Sequence, residues 1–305
     1  MHNKARISLF NLTIKNHKKG KNMKKYIRSD LFEETFFANF GNSRNLTRAP
    51  SVENEVFSLY RYREEDKENA KYAANKNGNY STFFSSDIMT LSDKSFDILT
   101  VAVARELRSL MHSKVEDIKR IMIIGLGNPS LSSDSLGAET VRKICISNEN
   151  EPPKNVFSFS VGVSSITGLE TVEHIKGLSI ACRPDVILAI DALVARSRKR
   201  LYSTVQISDT GITPGSGIGD GRSPINKESV GAAVISIGIP TVISSATLVC
   251  DTLKEAGIEN ISNELRATLD SNKGFFITSG YCDLEIKCAS MLLSRAIELA
   301  CFENI

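Results

Sequence analysis

Two aspartates stand just beyond apolar runs in this 305-residue chain, and their positions suit hydrolytic chemistry. Asp134 follows a run that begins at Ile121 and ends at glycine and proline, and Asp191 ends the run Val186–Ile190. Such β-branched runs are typical of buried strands, and the carboxyl ends of parallel strands meet at one edge of a sheet, where ligands bind. We therefore expect the two carboxylates to face one substrate. Taken alone, either aspartate is also typical of a helix N-cap or a turn.

Strands and helices alternate along the second half of the chain, and this order predicts how the two aspartates are held. Apolar runs indicate strands, and apolar residues at three-to-four-residue spacing indicate helices. The predicted strands are Ile121–Ile124, Val156–Val161, Val186–Ile190, Thr204–Ile207 and Ala233–Ile237, and the predicted helices run from about Leu136 to Ile146, from Thr167 with Glu170 as its capping-box partner, and over Leu284–Cys301. The alternation predicts an α/β fold of three layers around a mainly parallel sheet.

The first third of the chain has a different pattern. Strands are predicted over Glu55–Arg63 and Tyr80–Phe84, and a helix capped by Ser92 carries an apolar stripe that should pack on the main sheet. We therefore predict three parts: a basic N-terminal extension over residues 1–26, a small α+β appendage with a packing helix over 27–115, and a catalytic α/β domain over 116–305.

Composition excludes several classes of function. Lys and Arg (38) nearly balance Asp and Glu (35), so the charge of +3 is too small to indicate nucleic-acid binding by the whole protein. The basic stretch from Lys15 to Arg28 has no long apolar core and is neither a signal peptide nor a membrane span. The six cysteines form no C-x-x-C pair, which is typical of reduced thiols in a cytoplasmic protein.

A glycine-rich turn follows the first predicted strand. Gly125 and Gly127 resemble the start of a dinucleotide-binding fingerprint, but Ser130 stands where its third glycine is needed. We therefore predict no nucleotide cofactor. Gly127 and Asn128 are instead candidates for a substrate cleft, where a tight turn brings backbone amides close to a substrate carbonyl.

The tripeptide Asp209-Thr210-Gly211 resembles the catalytic motif of pepsin-like aspartic proteases. Those enzymes need an all-β framework with two such loops, which disagrees with the α/β pattern. We therefore expect this glycine-rich loop to line the cleft or an interface rather than to supply the primary acid. The candidate cleft residues of the loop are Asp209, Gly211, Gly215 and Ser216.

Other catalytic chemistries have little support in the sequence. Only four histidines occur and no G-x-S-x-G elbow is found, so a nucleophilic triad is not predicted, and neither is a metal site. A basic cluster follows Asp191, comprising Arg196, Arg198, Lys199 and Arg200. It is typical of a solvated helix face, and the alternative is a guide for an acidic substrate.

Several longer motifs point to one family. They include Gly125-Leu126-Gly127-Asn128, Asp134-Ser135-Leu136-Gly137, Ile190-Asp191-Ala192-Leu193, Gln206-Ile207-Ser208-Asp209-Thr210-Gly211-Ile212 and Pro214-Gly215-Ser216-Gly217. In these motifs the chain resembles the germination proteases of spore-forming bacteria. It departs from them in having Ser133 where proline usually precedes the first acid, Thr213 in place of a histidine, and a shortened segment at about Asp251–Phe276.

The resemblance implies a function and an architecture. It implies an atypical aspartic-type endopeptidase that degrades small acid-soluble spore proteins during germination, with Asp134 and Asp191 as the catalytic pair. The implied fold is that of the hydrogenase maturation proteases, which is phosphorylase/hydrolase-like. The implied protein is a zymogen and a homotetramer in the cytoplasm of the spore, with no cofactor, no membrane and no direct nucleic-acid partner.

The resemblance also gives the N-terminal extension a role. Residues Arg28-Ser29-Asp30-Leu31 are similar to a sequence that follows the family's propeptide, so cleavage is expected near Tyr26 and Ile27. If translation begins at Met23, almost no propeptide remains.

Two carboxylates that share a site cannot both ionise easily, so one should hold a proton while the other activates water. The sequence leaves open which of Asp134 and Asp191 is the base. It also leaves open two alternatives: a non-catalytic or regulatory relative that binds spore proteins, and a hydrogenase-maturation-type protease that recognises its substrate through nickel.

Overall fold

A computed structural model describes residues 29–35, 47–48, 52–64, 78–144, 155–218, 222–258, 260–272 and 274–302. The strands are β1 (Thr47–Arg48), β2 (Val52–Glu53), β3 (Phe57–Glu64), β4 (Gly78–Ser85), β5 (Ile121–Gly125), β6 (Val156–Ser160), β7 (Val186–Ala195), β8 (Thr204–Ser208), β9 (Ala233–Ser244) and β10 (Phe276–Ile277). The α-helices are α1 (Asp93–Lys114), α2 (Leu136–Lys143), α3 (Ser164–Thr167), α4 (Thr171–Cys182), α5 (Lys227–Val230), α6 (Ser245–Glu255), α7 (Asn263–Ser271) and α8 (Cys282–Phe302).

The ten strands of the described residues belong to one mixed sheet, in the order β1-β3-β4-β8-β9-β7-β5-β6, with β2 beside β3 and β10 beside β9. The four strands β6, β5, β7 and β9 are parallel, and the remaining pairs are antiparallel. The predicted α/β class is confirmed, and its parallel part is this group of four strands. The hairpin β3–β4 extends the same sheet through β8, and the division of the chain into domains stays a prediction.

The strand β7 is apolar along its length because helices cover both faces of the sheet. Leu188 and Ile190 belong to one buried cluster with side chains of α1 and α8, whereas Ile187 and Ala189 belong to a second cluster with side chains of α4. Successive side chains of a strand point to opposite faces, so a strand that is covered twice needs a continuous apolar run. Full burial of each Leu or Ile stabilises the fold by roughly 1.5–3 kcal/mol.

Helix α1 begins where the sequence predicts it. The Ser92 hydroxyl accepts a hydrogen bond from the Ser95 amide, which caps the helix, and Leu99, Val103 and Leu107 form its buried stripe. The helix predicted from Thr167 is wrong. Thr167 ends the short helix α3, because Gly168 adopts the left-handed conformation (φ 73°) that terminates a helix, and α4 begins four residues after Thr167.

Within the described part of the chain, no helix is both long enough and apolar enough to cross a membrane.

Candidate active site

Asp191 lies within β7 and not at its end, contrary to the sequence prediction. The strand continues to Ala195 because β9 remains its hydrogen-bonded partner, with Asp191 opposite Gly238. On its other side β5 stops at Gly125, which is level with Ile190. Asp191 is therefore the first residue of β7 beyond the end of β5. Its side chain reaches the space that opens there while the residue stays 8% exposed.

The loop after β5 brings Asp134 towards the same space. Asp134 ends a short turn before α2, and its Oδ2 accepts the Asn128 amide hydrogen at 2.7 Å. The turn is tied to β9, because the Thr241 hydroxyl donates to the Ser133 carbonyl at 2.6 Å. The Asn128 amide, considered above as a donor to substrate, is therefore engaged by a candidate catalytic carboxylate.

Two glycines make this approach possible. Gly127 has φ 100°, and a Cβ atom there would lie 2.1 Å from the Asp134 carbonyl oxygen. A Cβ atom on Gly137, in the first turn of α2, would lie 2.4 Å from the Leu126 nitrogen and 2.7 Å from the Ile190 oxygen. All three distances are shorter than a van der Waals contact, so only glycine lets the loop and α2 pack this closely against β5 and β7.

The carboxyl groups influence each other's ionisation. Burial, followed by the nearby charges of Asp134 and Asp30, raises the pKa of Asp191 well above its ordinary value. Burial also raises the pKa of Asp134, while the Asn128 amide and the charge of Arg222 oppose that rise. A buried carboxyl with a raised pKa beside a second acid is the arrangement in which one group holds a proton and the other loses it.

Asp30 is a third acid in this region, which sequence reasoning did not identify as a site residue. Its amide donates to the Val194 carbonyl and its Oδ2 accepts the Val194 amide hydrogen, each at 2.9 Å, so it pairs with β7. The segment is fixed by Leu31 and Phe32, which are fully buried, and Phe32 stacks on Tyr80 at 4.0 Å between ring centroids. Its only signal in the sequence was the family-like stretch at residues 28–31.

A small cavity of about 60 Å³ lies beside these groups. Both Asp30 and Asp191 line it, and two of the predicted cleft residues, Gly211 and Ser216, do so as well. The rest of its lining consists of Tyr80, Leu193, Gln206, Ser208, Thr210, Ile212, Thr213, Ser236, Ile237 and Gly238. The other predicted cleft residues, Gly127, Asn128, Asp209 and Gly215, are not part of this lining.

Asp209 is engaged elsewhere. Its Oδ1 accepts the Asn79 amide hydrogen at 2.8 Å, and its Oδ2 accepts the Asn79 side-chain amide at 2.6 Å and lies 3.0 Å from the Lys114 ammonium. The Asp209 side chain is fully buried. These contacts join the end of β8 to β4 and to the end of α1, so Asp209 is a structural anchor.

Described residues of the glycine-rich loop line part of the cavity. Ile212 and Ile225 exchange two backbone hydrogen bonds (3.0 and 2.8 Å) at its base, which positions the described residues on either side of positions 219–221. Arg222 follows positions 219–221, and its charge lowers the pKa of both Asp134 and Asp191. The proposed cleavage residues Tyr26 and Ile27 lie outside the described residues.

The basic cluster after Asp191 is only partly a solvated face, because Arg198 and Lys199 are exposed and the other two side chains are not. Arg200 is buried, lies 3.8 Å from both Glu33 and Glu34, and stacks on the Phe84 ring. Arg196 and Arg198 each face an acid at 3.8 Å. Most of the cluster is thus neutralised within the fold. Among the described residues, no group of three or more His, Cys, Asp or Glu side chains is arranged to hold a metal ion.

Comparison with known proteins gives a consistent result. A family model described as germination protease matches residues 53–273. The germination protease of Clostridium tetani is 34% identical over 264 residues, which cover 82% of this chain and 79% of that protein. The germination protease of Bacillus subtilis is 35% identical over 197 residues, which cover 61% of this chain and 54% of that protein. The aligned region thus spans about half of the Bacillus protein.

Among solved structures, a [NiFe] hydrogenase maturation protease, HycI from Thermococcus kodakarensis, is similar to 62% of this chain and 99% of that chain. The TM-score is 0.37 and the sequence identity is 17%. A likeness at this level carries no argument about this chain.

Proposed function

The chain belongs to the germination protease family, and we propose that it is an endopeptidase that hydrolyses small acid-soluble spore proteins during germination. The catalytic groups in this proposal are Asp134 and Asp191. The observation that carries it is the position of Asp191, a buried carboxyl on β7 just beyond the level at which β5 ends, with a raised pKa and the charge of Asp134 acting on it. Perturbed carboxyl pairs in a cleft are typical of sites for acid–base chemistry.

The proposed reaction uses the pair in opposite protonation states. The ionised carboxylate takes a proton from a water molecule whose oxygen attacks the carbonyl carbon of the substrate peptide, and the protonated carboxyl donates its proton to the carbonyl oxygen. The tetrahedral intermediate then collapses. Its C–N bond breaks as the leaving nitrogen takes the proton that the first carboxyl gained from water. A hydroxyl of the intermediate returns its proton to the second carboxylate, the product carboxyl group forms, and the resting state is restored. Each acid acts once as base and once as acid.

The proposed enzyme is made in a latent form. A cavity of about 60 Å³ has room for water, whereas clefts that hold ligands are usually about 300–1,000 Å³. The glycine-rich loop must therefore move before a polypeptide reaches Asp191. This need for opening supports a zymogen whose basic extension, residues 1–26, is removed near Tyr26 and Ile27. Family resemblance alone motivates a homotetramer in the spore cytoplasm.

A direct test uses purified acid-soluble spore protein as the substrate, at mildly acidic and neutral pH, with wild-type protein and the Asp134→Asn variant. We expect fragments from the wild type only, detected by intact-mass analysis. Retention of the spore protein on immobilised wild-type chain without fragments, after the N-terminal extension has been removed, would favour the non-catalytic alternative. Cleavage that persists in the Asp134→Asn variant would refute the proposed pair.

The same assay addresses the hydrogenase-maturation alternative. A protease of that kind would require nickel on its protein substrate. We expect cleavage of the spore protein to be unaffected by a nickel chelator, and a requirement for added nickel would contradict the proposal.

A further inference from the structure

Asp30 has a fuller set of hydrogen-bond donors than the other two acids of the cleft. The Ser216 hydroxyl donates to Oδ1 at 2.6 Å and the Val194 amide donates to Oδ2 at 2.9 Å, and the backbone of Gly217 also donates to this carboxylate. Backbone N–H groups cannot accept a hydrogen bond. Burial raises the pKa of Asp30, and these donors oppose that rise because they favour the ionised form.

Asp191 has a much poorer set of donors. Within the described residues, the hydrogen bond that its side chain accepts comes from the amide of its neighbour, Ala192, at 2.9 Å. Asp134 accepts the Asn128 amide hydrogen on Oδ2, and the charge of Arg222 lowers its pKa. Asp134 and Asp191 each accept one hydrogen bond, but Asp191 is buried whereas Asp134 is only partly buried, so the proton should reside on Asp191.

We propose that Asp30 is a positioning residue for the carboxylate pair: fixed in the ionised state against β7, it keeps the shared proton on Asp191 and leaves Asp134 as the base. The inference rests on the proposed function, since it assigns roles within that reaction. It also places a determinant of activity outside the catalytic pair, on the segment that follows the basic N-terminal extension.

The charges around Asp191 are consistent with this assignment. The titratable groups that face it are Asp30 from the N-terminal segment, Asp134 from the loop after β5, Arg222 from the glycine-rich loop and Tyr80 from β4. The two acids raise the pKa of Asp191 and Arg222 lowers it. The Asp30 carboxylate accepts hydrogen bonds from two backbone amides, and its backbone pairs with β7, so the position of its charge is fixed.

The experiment is a pH titration of the aspartate side-chain carboxyl carbons, observed by NMR in the full chain labelled with ¹³C at that carbon. Through-bond NMR correlations to the assigned backbone of the wild-type protein assign the two signals. In the wild-type protein we expect Asp30 to lose its proton at lower pH than Asp191. The reverse order would overturn the proposal, and this comparison does not depend on whether any variant folds.

A matched pair of variants tests the effect of the Asp30 charge. Asp30→Asn should move the titration of Asp191 to lower pH. Glu34→Gln removes one negative charge from the same segment, at a residue that accepts the Arg196 amide hydrogen and is not among the charges that shift Asp191. It should leave the titration unchanged. An equal shift in both variants, or no shift in Asp30→Asn, would contradict the proposal.

Hydrolysis of spore protein provides the second readout. In Asp30→Asn the fall of kcat/KM at alkaline pH should begin at lower pH, with a loss of about tenfold at neutral pH, a part of the roughly 10²–10⁴-fold that a general acid supplies. Glu34→Gln should keep the wild-type profile. If the titrations behave as expected and no variant or wild-type protein cleaves, the proposed function fails while the placement of the proton stands.

Discussion

Asp191 and Asp209 differ in their hydrogen-bond donors although they are alike in sequence and in burial. Each comes after an apolar strand segment of the same sheet, on β7 and just after β8, and each residue is 8% exposed. Asp209 receives two hydrogen bonds from Asn79 and pairs with Lys114. Asp191 receives one hydrogen bond from its neighbour and faces two further acids.

The difference shows how one residue type serves two tasks. A buried carboxylate with enough donors and a cation stabilises the packing of the elements that supply them. A buried carboxylate with few donors resists ionisation, which makes the fold less stable and holds a proton ready for transfer. The number of donors around a buried acid therefore distinguishes an anchor from a candidate catalytic group better than burial does.

The largest expected effect is on catalysis. Asp191→Asn should lower kcat/KM for spore-protein cleavage by about 10³-fold or more, since an amide can neither take up nor release the proton. Asp209→Asn, the same substitution at the anchor, should change it by less than about threefold at a temperature where the variant is folded. The measurement is the initial rate of fragment formation. A comparable loss of kcat/KM in both variants would contradict the assignment of Asp191 to catalysis and of Asp209 to structure.

The next largest expected effect is the dependence of Asp134 and Asp191 on each other in catalysis. The double variant Asp134→Asn/Asp191→Asn should be hardly slower than either single variant, because removal of one acid already disables the pair. Single-turnover rates of all three variants test this expectation. Losses that multiply would mean that the two acids act independently.

The substitutions Asp191→Asn and Asp209→Asn should have opposite effects on stability. Asp209→Asn should lower the free energy of unfolding by about 2 kcal/mol, since it removes a charged partner from the Asn79 and Lys114 contacts. Asp191→Asn should raise it at neutral pH, because the wild-type fold must hold a carboxyl that is reluctant to ionise. Urea unfolding at pH 7 measures both changes. A destabilised Asp191→Asn variant would contradict the account of its burial.

The stabilisation by Asp191→Asn should depend on pH in a defined direction. The folded-state pKa of Asp191 is raised above the ordinary value of 3.8, so the folded protein binds a proton that the unfolded chain releases. Wild-type stability from this group is fully present below 3.8 and is lost as pH rises through the raised pKa. The advantage of Asp191→Asn should therefore appear at neutral pH and vanish in acid. Unfolding curves across this range test the sign.

The smallest expected effect concerns the basic cluster. Arg198 is an exposed side chain 3.8 Å from Glu255, so Arg198→Ala should change stability by less than about 0.5 kcal/mol. Arg200→Ala should lower the free energy of unfolding by more than Arg198→Ala does. Arg200 is buried beside Glu33 and Glu34 and stacks on Phe84. Thermal unfolding of the two variants, run side by side, measures the contrast.

The sequence predicted the parallel strands because their signal is local. The runs at Ile121 and Val186 are apolar throughout, and a strand covered on both faces needs that pattern. The end of β7 was missed because its partner β9 continues beside it to Ile243, which no local feature of β7 reveals. Thr167 was misread because Gly168 ends one helix and leaves a break before the next.

The surroundings of the acids could not be predicted for the same reason. Asn79 and Lys114, the partners of Asp209, come from distant parts of the chain and meet it only in the folded sheet. Asp30 reaches Val194 in the same way. The acids themselves stood out by their positions after strands, whereas their hydrogen-bond donors, on which their roles depend, are set by tertiary structure.

The most direct test is intact-mass analysis of purified acid-soluble spore protein after incubation with three proteins: wild type, Asp191→Asn and Asp209→Asn. We predict fragments with the wild type and with Asp209→Asn, and intact substrate with Asp191→Asn. Fragments with Asp191→Asn, or intact substrate with Asp209→Asn when that variant is folded, would contradict the assignment of the two aspartates.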